Sequence, residues 1–387
     1  MAIRSAPLAG GGYVDTLYEW TAALGPRGIA IHAAAGKIYW SSQGDNAIRC
    51  GPLAGGFDDR LYGPSGVVSG PGGVAIDQAA GRIYWANEGD NTIRGGALAG
   101  GSVADALYDA HSGVKYPGSV AIDPGGGNIY WTNGDNTIRR GKLAGGFPPD
   151  TLYSSSDGVK GPVDLAIDVA GGRIYWTNSG DYTICGAPLT GGGRVTVLYD
   201  SADGVSGPSG IAIDPPEPVF SIVDESGGLT LAHLANPVMN WLNQHWPGKR
   251  PAGRVYWANF EDGKICGAPL DGSGPVDILY GGANRGVDWP SFVAVLQAPV
   301  AASPPAISLV GQSLRCSRGT WSRDVVGARL YHSPESFRFQ WALNGADIAG
   351  ATLSAYTPSA AGSYTCRVTA TNPAGSTPQT STPISAP

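Results

Sequence analysis

Apolar residues along the chain fall into short runs separated by glycine- and asparagine-rich stretches, and the runs recur in one order. A nearly continuous apolar run ends in Ala-Ile-Asp at residues 74–77, 120–123, 165–168 and 211–214. A second run carries Tyr-Trp: Ile38-Tyr39-Trp40, Ile83-Tyr84-Trp85, Ile129-Tyr130-Trp131, Ile174-Tyr175-Trp176 and Val255-Tyr256-Trp257. A Gly-Asp-type turn, a short run with one isoleucine, a Leu-x-Gly-Gly stretch and a Leu-Tyr run follow. The first four tryptophans lie 45, 46 and 45 residues apart. Short apolar runs bounded by turn formers read as strands. Four strands per period of this length predict the blades of a β-propeller, an all-β fold.

Naming the strands A to D from the hub outward gives six A strands, the last at 292–296, and five B strands, the Tyr-Trp runs. Six C strands centre on Ile3, Ile48, Ile93, Ile138, Ile184 and Ile265. Six D strands carry Tyr18, Tyr62, Tyr108, Tyr153, Tyr199 and Tyr280. The expectation is a six-bladed propeller over residues 1–296. Its ring is closed by a composite blade, with strands C and D from the N-terminus and strand A from 291–296. Strand B of that blade is missing. The first reading is a segment upstream of Met1; the second is a gap that accepts a strand from another chain. One repeat is interrupted, with 39 residues between Asp214 and Arg254 where four separate Asp77 from Arg82, so an insertion occupies 215–252. Asn236-Pro237, followed by Val238, Trp241, Leu242 and His245 at helical spacing, predicts a short amphipathic helix there.

Residues 297–305 read as an extended Pro/Ala linker. Beyond it, over 306–387, the pattern changes. Cys316 and Cys366 flank Trp341, residues 337–341 alternate as a strand, Asn344-Gly345 signals a hairpin, and Tyr364 stands two residues before Cys366. This combination resembles a bacterial immunoglobulin-like module, a β-sandwich in which Tyr364 takes the tyrosine-corner position. Residues 318–336 would be an enlarged B–C connection. The resemblance implies a Cys316–Cys366 disulfide, and with it an oxidising compartment.

The repeats resemble the YWTD repeats of low-density-lipoprotein-receptor class B propellers. The matching residues are Gly-Pro-Ser-Gly-Ile-Ala-Ile-Asp at 207–214, Arg-Ile-Tyr-Trp-Thr-Asn at 173–178, Ile184 and Pro188-Leu189. The fourth motif position is Asn87, Asn133, Asn178, Asn259 or Ser42 rather than Asp; such an Asn is expected to accept a hydrogen bond from a neighbouring blade. The resemblance implies an extracellular binding or spacing module without catalytic activity.

Composition narrows the partners. Charged residues make up 14% of the chain and the net charge is −6, so no basic stripe invites nucleic acid. No apolar run of about 18 residues spans a membrane. No signal peptide is visible, yet the resemblance implies a secreted or cell-surface location. The 60 glycines fall at repeated turn positions. Cys50, Cys185 and Cys266 sit in the repeats at positions unsuited to pairing and are read as free thiols.

Propeller enzymes place metal ligands or acid/base groups at the channel mouth, where strand A begins. The mouth residues here are Arg27-Gly28, Gly72-Gly73, Gly118-Ser119, Val163-Asp164, Ser209-Gly210 and Ser291-Phe292. Asp164 is the one acid among them. A single carboxylate makes neither a divalent-cation site nor an acid/base pair, so no catalytic residue, metal or cofactor is implied. Small residues there are expected to leave room for an inserted ligand group, contacted by Arg27, Lys115, Tyr116, Ser119, Asp164, Trp289 and Phe292, with Trp20 and Lys160 nearby. Asp77, Asp123, Asp168 and Asp214 read as turn residues. The expected function is recognition or adhesion through these loops, with a protein or glycan ligand. Alternatives are a structural subunit that self-associates through the incomplete blade or the C-terminal module, and a metal-dependent lactonase or lyase.

Overall fold

Short apolar runs punctuated by turns produce antiparallel strands, and four consecutive strands join in sequence order into each main sheet. In this computed structural model the described residues are 2–6, 14–19, 25–65, 67–146, 148–215, 222–223, 229–230, 253–281 and 290–386. β1 (Ala2–Ser5) pairs with β2 (Asp15–Glu19). The first complete sheet holds β3 (Pro26–His32), β4 (Lys37–Ser42), β5 (Ala47–Pro52) and β6 (Asp59–Tyr62). The second holds β7 (Pro71–Asp77), β8 (Arg82–Asn87), β9 (Thr92–Ala97) and β10 (Asp105–Tyr108). In the third are β11 (Val120–Asp123), β12 (Asn128–Asn133), β13 (Thr137–Lys142) and β14 (Asp150–Tyr153). The fourth comprises β15 (Pro162–Asp168), β16 (Arg173–Asn178), β17 (Thr183–Pro188) and β18 (Thr196–Tyr199).

The fifth sheet begins with β19 (Pro208–Asp214). A short ribbon of β20 (Ile222–Val223) and β21 (Leu229–Thr230) precedes β22 (Arg254–Asn259), β23 (Lys264–Pro269) and β24 (Asp277–Tyr280). The helix expected in the insertion lies outside the described residues. Among the described residues there is no α-helix, only five single-turn 3-10 stretches.

Each sheet is bolted to the next by one aromatic joint. The strand D tyrosine packs on the strand B tryptophan of the following sheet: Tyr62 on Trp85 at 5.1 Å, Tyr108 on Trp131 at 5.1 Å, Tyr153 on Trp176 at 5.6 Å and Tyr199 on Trp257 at 5.5 Å. Its hydroxyl then donates to a carbonyl at the end of that sheet's strand C, as in Tyr62 to Ala97 at 2.8 Å and Tyr153 to Pro188 at 2.7 Å. Glycine stands opposite the ring at Gly51, Gly96 and Gly141, where a Cβ on Gly96 would stand 2.4 Å from Tyr62 Oη, while Ala187 and Ala268 take that place at the two joints with the longer ring spacing. Tyr18 of β2 makes the same joint, 4.9 Å from Trp40 and 2.6 Å from Pro52 O, so β1–β2 packs as part of a blade before the first complete sheet. The tryptophans and tyrosines between sheets are among the largest fully buried side chains, each removing a large apolar area from water.

The motif asparagines act differently from expectation. Asn133 Oδ1 accepts from Lys115 N at 3.1 Å and Trp131 Nε1 at 3.2 Å, and its Nδ2 donates to Gly113 O at 2.8 Å. Asn178 and Asn259 repeat this arrangement on their own incoming loops. The bond across blades is made instead by the B–C turn asparagines: Asn46 to Gly70 N, Asn91 to Tyr116 N and Asn136 to Gly161 N, each at 2.6 Å. Left-handed backbone at Asn46, Asn91 and Asn136 turns these side chains toward the next sheet.

The C-terminal part comprises β25 (Val295–Leu296), β26 (Ala301–Ser303), β27 (Ile307–Val310), β28 (Ser313–Cys316), β29 (Thr320–Trp321), β30 (Leu330–Tyr331), β31 (Ser336–Leu343), β32 (Ala346–Asp347), β33 (Ala355–Tyr356), β34 (Gly362–Asn372), β35 (Gly375–Thr380) and β36 (Ile384–Ala386). One sheet orders β32-β31-β34-β35, with β36 also on β34, and a smaller one orders β27-β28-β33. Leu314, Trp341, Tyr364, Cys366 and Val368 are buried together in the core of this part. Tyr364 Oη donates to Ala360 O at 2.5 Å. The expected Cys316–Cys366 disulfide is not formed here: both are free, buried thiols, and Cys316 Sγ donates to Ser317 O at 3.2 Å. Cys50, Cys185 and Cys266 are also free and buried, as read from the sequence.

Residues 297–305, expected as a linker, are tied down. Gln297 N donates to Tyr331 O at 2.9 Å and its Nε2 to Asp214 Oδ2 at 2.9 Å, while β26 pairs with β29. β25 pairs in parallel with β30, from within the segment expected to be an enlarged connection.

A candidate binding site at the channel mouth

Strand A of each blade runs alongside the central channel, and its first residues come closest to the neighbouring blade. This explains the glycines. A Cβ on Gly72 would meet Gly118 O at 2.2 Å, and one on Gly28 would meet Gly73 Cα at 2.6 Å. The expectation that small mouth residues leave room for a ligand therefore fails at these positions, because adjacent strands fill the space. In three of the blades a serine or threonine after Tyr-Trp (Ser41, Thr132, Thr177) fastens the same level: Thr132 Oγ1 accepts from Ser119 N at 3.0 Å and donates to Val163 O at 3.1 Å. Thr177 Oγ1 accepts from Asp164 N at 3.1 Å and donates to Ser209 O at 2.8 Å.

The channel itself holds an arm of the C-terminal part. Residues 326–328 form a 3-10 turn against the inner strands β7, β11, β15 and β19. Ala328 and Leu330 join the core between the fourth and fifth blades, and Tyr331 is buried with Ile3, Tyr18, Ile31 and Trp40. Asp324 accepts from Gln78 Nε2 at 2.8 Å, and its other oxygen caps His332 N and Ser333 N. Burial pushes the Tyr331 hydroxyl up to about 12.

Arg329 reaches the mouth from this arm. Its Nη2 donates to Asp164 Oδ1 at 2.6 Å and to Ser119 Oγ at 2.8 Å, and the guanidinium carbon lies 5.4 Å from the centre of the Phe292 ring. Asp164 is fully buried and also accepts from Leu165 N at 2.8 Å and Ile211 N at 2.9 Å. Burial pushes its carboxyl above the ordinary range, while Arg329 and the hydrogen bonds pull the other way. Ser119, Asp164 and Phe292, three of the residues singled out from sequence, thus converge on one guanidinium. Sequence reasoning missed Arg329. The available signal was the apolar run Val325-Val326-Gly327-Ala328, out of place in a solvated connection.

Of the other described candidates, Lys115, Tyr116 and Lys160 stay on exposed loops and Arg27 lies at the start of β3. Arg27 Nη1 bridges to Glu88 Oε2 of the next blade at 2.9 Å. Tyr116 is 66% exposed in a left-handed conformation with φ 44°, held by the Asn91 bond. Lys115 reaches Asp135 at 3.9 Å and Lys160 reaches Asp181 at 3.1 Å. Trp20 and Trp289 lie outside the described residues. Among those described, no three or more His, Cys, Asp or Glu side chains converge as metal ligands. No described helix is long and apolar enough to cross a membrane.

A family model described as the outer membrane protein assembly factor BamB matches residues 117–267. Comparison with curated proteins finds no match. Among solved structures, a chain of the nidogen–laminin complex is similar at 18% identity over 69% of this chain and 84% of that one, with a TM-score of 0.51. Regucalcin, a calcium-binding protein from Agrobacterium tumefaciens, is similar at 14% identity over 79% and 85%, with a TM-score of 0.49. A catalytically inactive virginiamycin B lyase from Staphylococcus aureus is similar at 14% identity over 92% and 95%, with a TM-score of 0.46. With the successive four-stranded sheets, the nidogen–laminin likeness makes this chain a β-propeller protein.

Proposed function

We propose that the chain is a non-catalytic recognition module, secreted or on the cell surface, that binds protein or glycan through the loops between strands D and A and between B and C. In this reading the propeller has six blades of YWTD type over residues 1–296, closed by β1, β2 and β25, and is followed by an immunoglobulin-like sandwich over 306–387. Tyr116 carries the proposal. An aromatic ring 66% exposed, in a backbone conformation that β-carbon residues avoid, is held there by Asn91 and flanked by Lys115. Exposed tyrosines fixed on a rigid scaffold serve protein and sugar recognition alike. The lactonase or lyase alternative needs several carboxylates converging on an open channel, whereas Asp164 faces the chain's own guanidinium.

The test is binding of the full chain to a glycan panel and to intact cells, beside a Lys115→Ala/Tyr116→Ala variant. Loss of a tyrosine hot spot is worth about 2 kcal/mol, near thirtyfold in affinity. Equal binding by the variant removes this face, and no binding of the wild type to either target removes the recognition reading. A structural role is the second reading, favoured by β1, whose one described strand partner is β2. Light scattering showing a strict monomer at high concentration would end it.

A further inference from the structure

The arm and the mouth meet as a peptide meets its receptor. Three groups of the propeller contact the guanidinium: the Asp164 carboxylate, the Ser119 hydroxyl and the Phe292 ring. These three groups match a planar, charged fork. One nitrogen bonds carboxylate and hydroxyl together, and the guanidinium carbon lies over the Phe292 ring, a stacking contact that suits a flat cation better than a tetrahedral ammonium. Main-chain pairing accompanies the pocket. Val295 N donates to Arg329 O at 3.0 Å and Gln297 N to Tyr331 O at 2.9 Å, so the arm adds a short parallel strand to β25. Leu330 and Tyr331 then enter two separate apolar clusters. Backbone pairing for affinity and side-chain pockets for specificity define recognition by strand addition.

The internal occupant is also imperfect. Arg329 sits in left-handed backbone at φ 56°, which L residues other than Asn and Asp rarely adopt. Its buried Nη1 finds no acceptor among the described residues, and the buried Nδ1 of His332 has no hydrogen-bond partner among them.

We infer that the channel mouth is an arginine-recognition site, filled in the resting chain by its own Arg329 and open, by exchange, to an extended Arg-Leu-Tyr-like segment of a partner protein. Arg329 then acts as a tethered competitor that sets how strong an outside ligand must be. This site is separate from the proposed loop face, which consists of Tyr116 and the exposed rim.

The experiment uses the full chain with Arg329→Gly, which keeps the left-handed turn and removes the guanidinium. Thermal unfolding is followed with ethylguanidinium or ethylammonium at matched millimolar concentrations. The expected result is a dose-dependent rise of a few degrees with ethylguanidinium alone, lost in Asp164→Asn/Arg329→Gly. An equal response to both cations, or none in a folded variant, overturns the site. A second measurement needs no variant. Hydrogen exchange at residues 323–333 of the wild type is compared with and without a synthetic peptide of residues 327–332. Exchange that quickens with this peptide, but not with its lysine analogue, supports displacement of the arm. Unchanged exchange at millimolar peptide overturns displacement.

Discussion

Arg329 and Asp164 lie 165 residues apart in sequence and 2.6 Å apart in the structure, with side chains 3% and 0% exposed. The pair joins the last module to the fourth blade across the channel. Removing both charges from water is costly, and the carboxylate recovers that cost through two backbone N–H groups as well as the guanidinium. The pair therefore fixes where the arm sits more than it adds net stability.

Breaking it from one side should be severe. Arg329→Met leaves a buried carboxylate without its cation, and such single removals cost about 3–5 kcal/mol. Asp164→Asn/Arg329→Met removes both charges and should cost much less than the sum of the single variants. Urea unfolding at pH 8 of the four proteins measures the coupling. Additive losses would mean that the two side chains do not interact as the geometry requires.

The pH dependence of the same pair has a definite sign. Burial raises the folded pKa of Asp164 above its ordinary 3.8. Below 3.8 the group is protonated in both states and its contribution is fully present. Between that value and the raised one, the folded protein keeps a proton that the unfolded chain has released, so stability drops as pH rises. Asp164→Asn does not titrate. The stability of wild type minus that of Asp164→Asn should fall as pH rises from 3.8 through the folded pKa, then level off. An increase over that range would show that Arg329 and the backbone donors outweigh burial.

The aromatic periodicity made the blades legible, because Tyr62 and Trp85 form one joint that recurs wherever the period recurs, with glycine opposite the ring in three blades and alanine in two. Asp164, Ser119 and Phe292 were likewise readable as mouth residues, since their positions follow from strand A. What they face was not. Arg329 arrives from outside the repeat, and no local pattern encodes a contact over such a separation. The motif asparagines show a smaller failure of the same kind: the residue type predicted a backbone bond, but the direction of the side chain decided that Asn133 bonds the loop entering its blade while Asn136 bonds the loop leaving it.

The joint itself makes a second prediction. Gly96→Ala places a methyl 2.4 Å from Tyr62 Oη, and the strand must shift or the ring must move. Overpacking of this kind costs about 1–3 kcal/mol. Tyr62→Phe alone loses the 2.8 Å bond to Ala97 O, worth about 1 kcal/mol. In the Tyr62→Phe background the nearest clashing atom is gone, so Gly96→Ala should cost less there than in the wild type. Denaturant midpoints of the four proteins decide it, and an undiminished Gly96→Ala penalty would place the strain elsewhere.

The cysteines offer the last prediction. Cys316 on β28 and Cys366 on β34 come from different sheets and meet in one core with Trp341 and Tyr364. The closeness of the two sulfurs pulls the Cys316 thiol below its ordinary value and pushes Cys366 up. One thiol of the pair therefore ionises more readily than an isolated buried cysteine and attacks in an exchange reaction. Burial pushes Cys185 up to about 11 and Cys266 up to about 12, which keeps both inert at neutral pH. Mild treatment with oxidised glutathione should therefore join Cys316 to Cys366 and leave Cys185 and Cys266 as thiols. Closing a loop of roughly 50 residues stabilises the folded state by about 4 kcal/mol on the chain-entropy account. Non-reducing peptide mapping identifies the pair, and urea unfolding with and without reductant measures the gain. A Cys316 that still alkylates after oxidation would show that the two thiols cannot reach bonding geometry, and the inference of an oxidising compartment would lose its support.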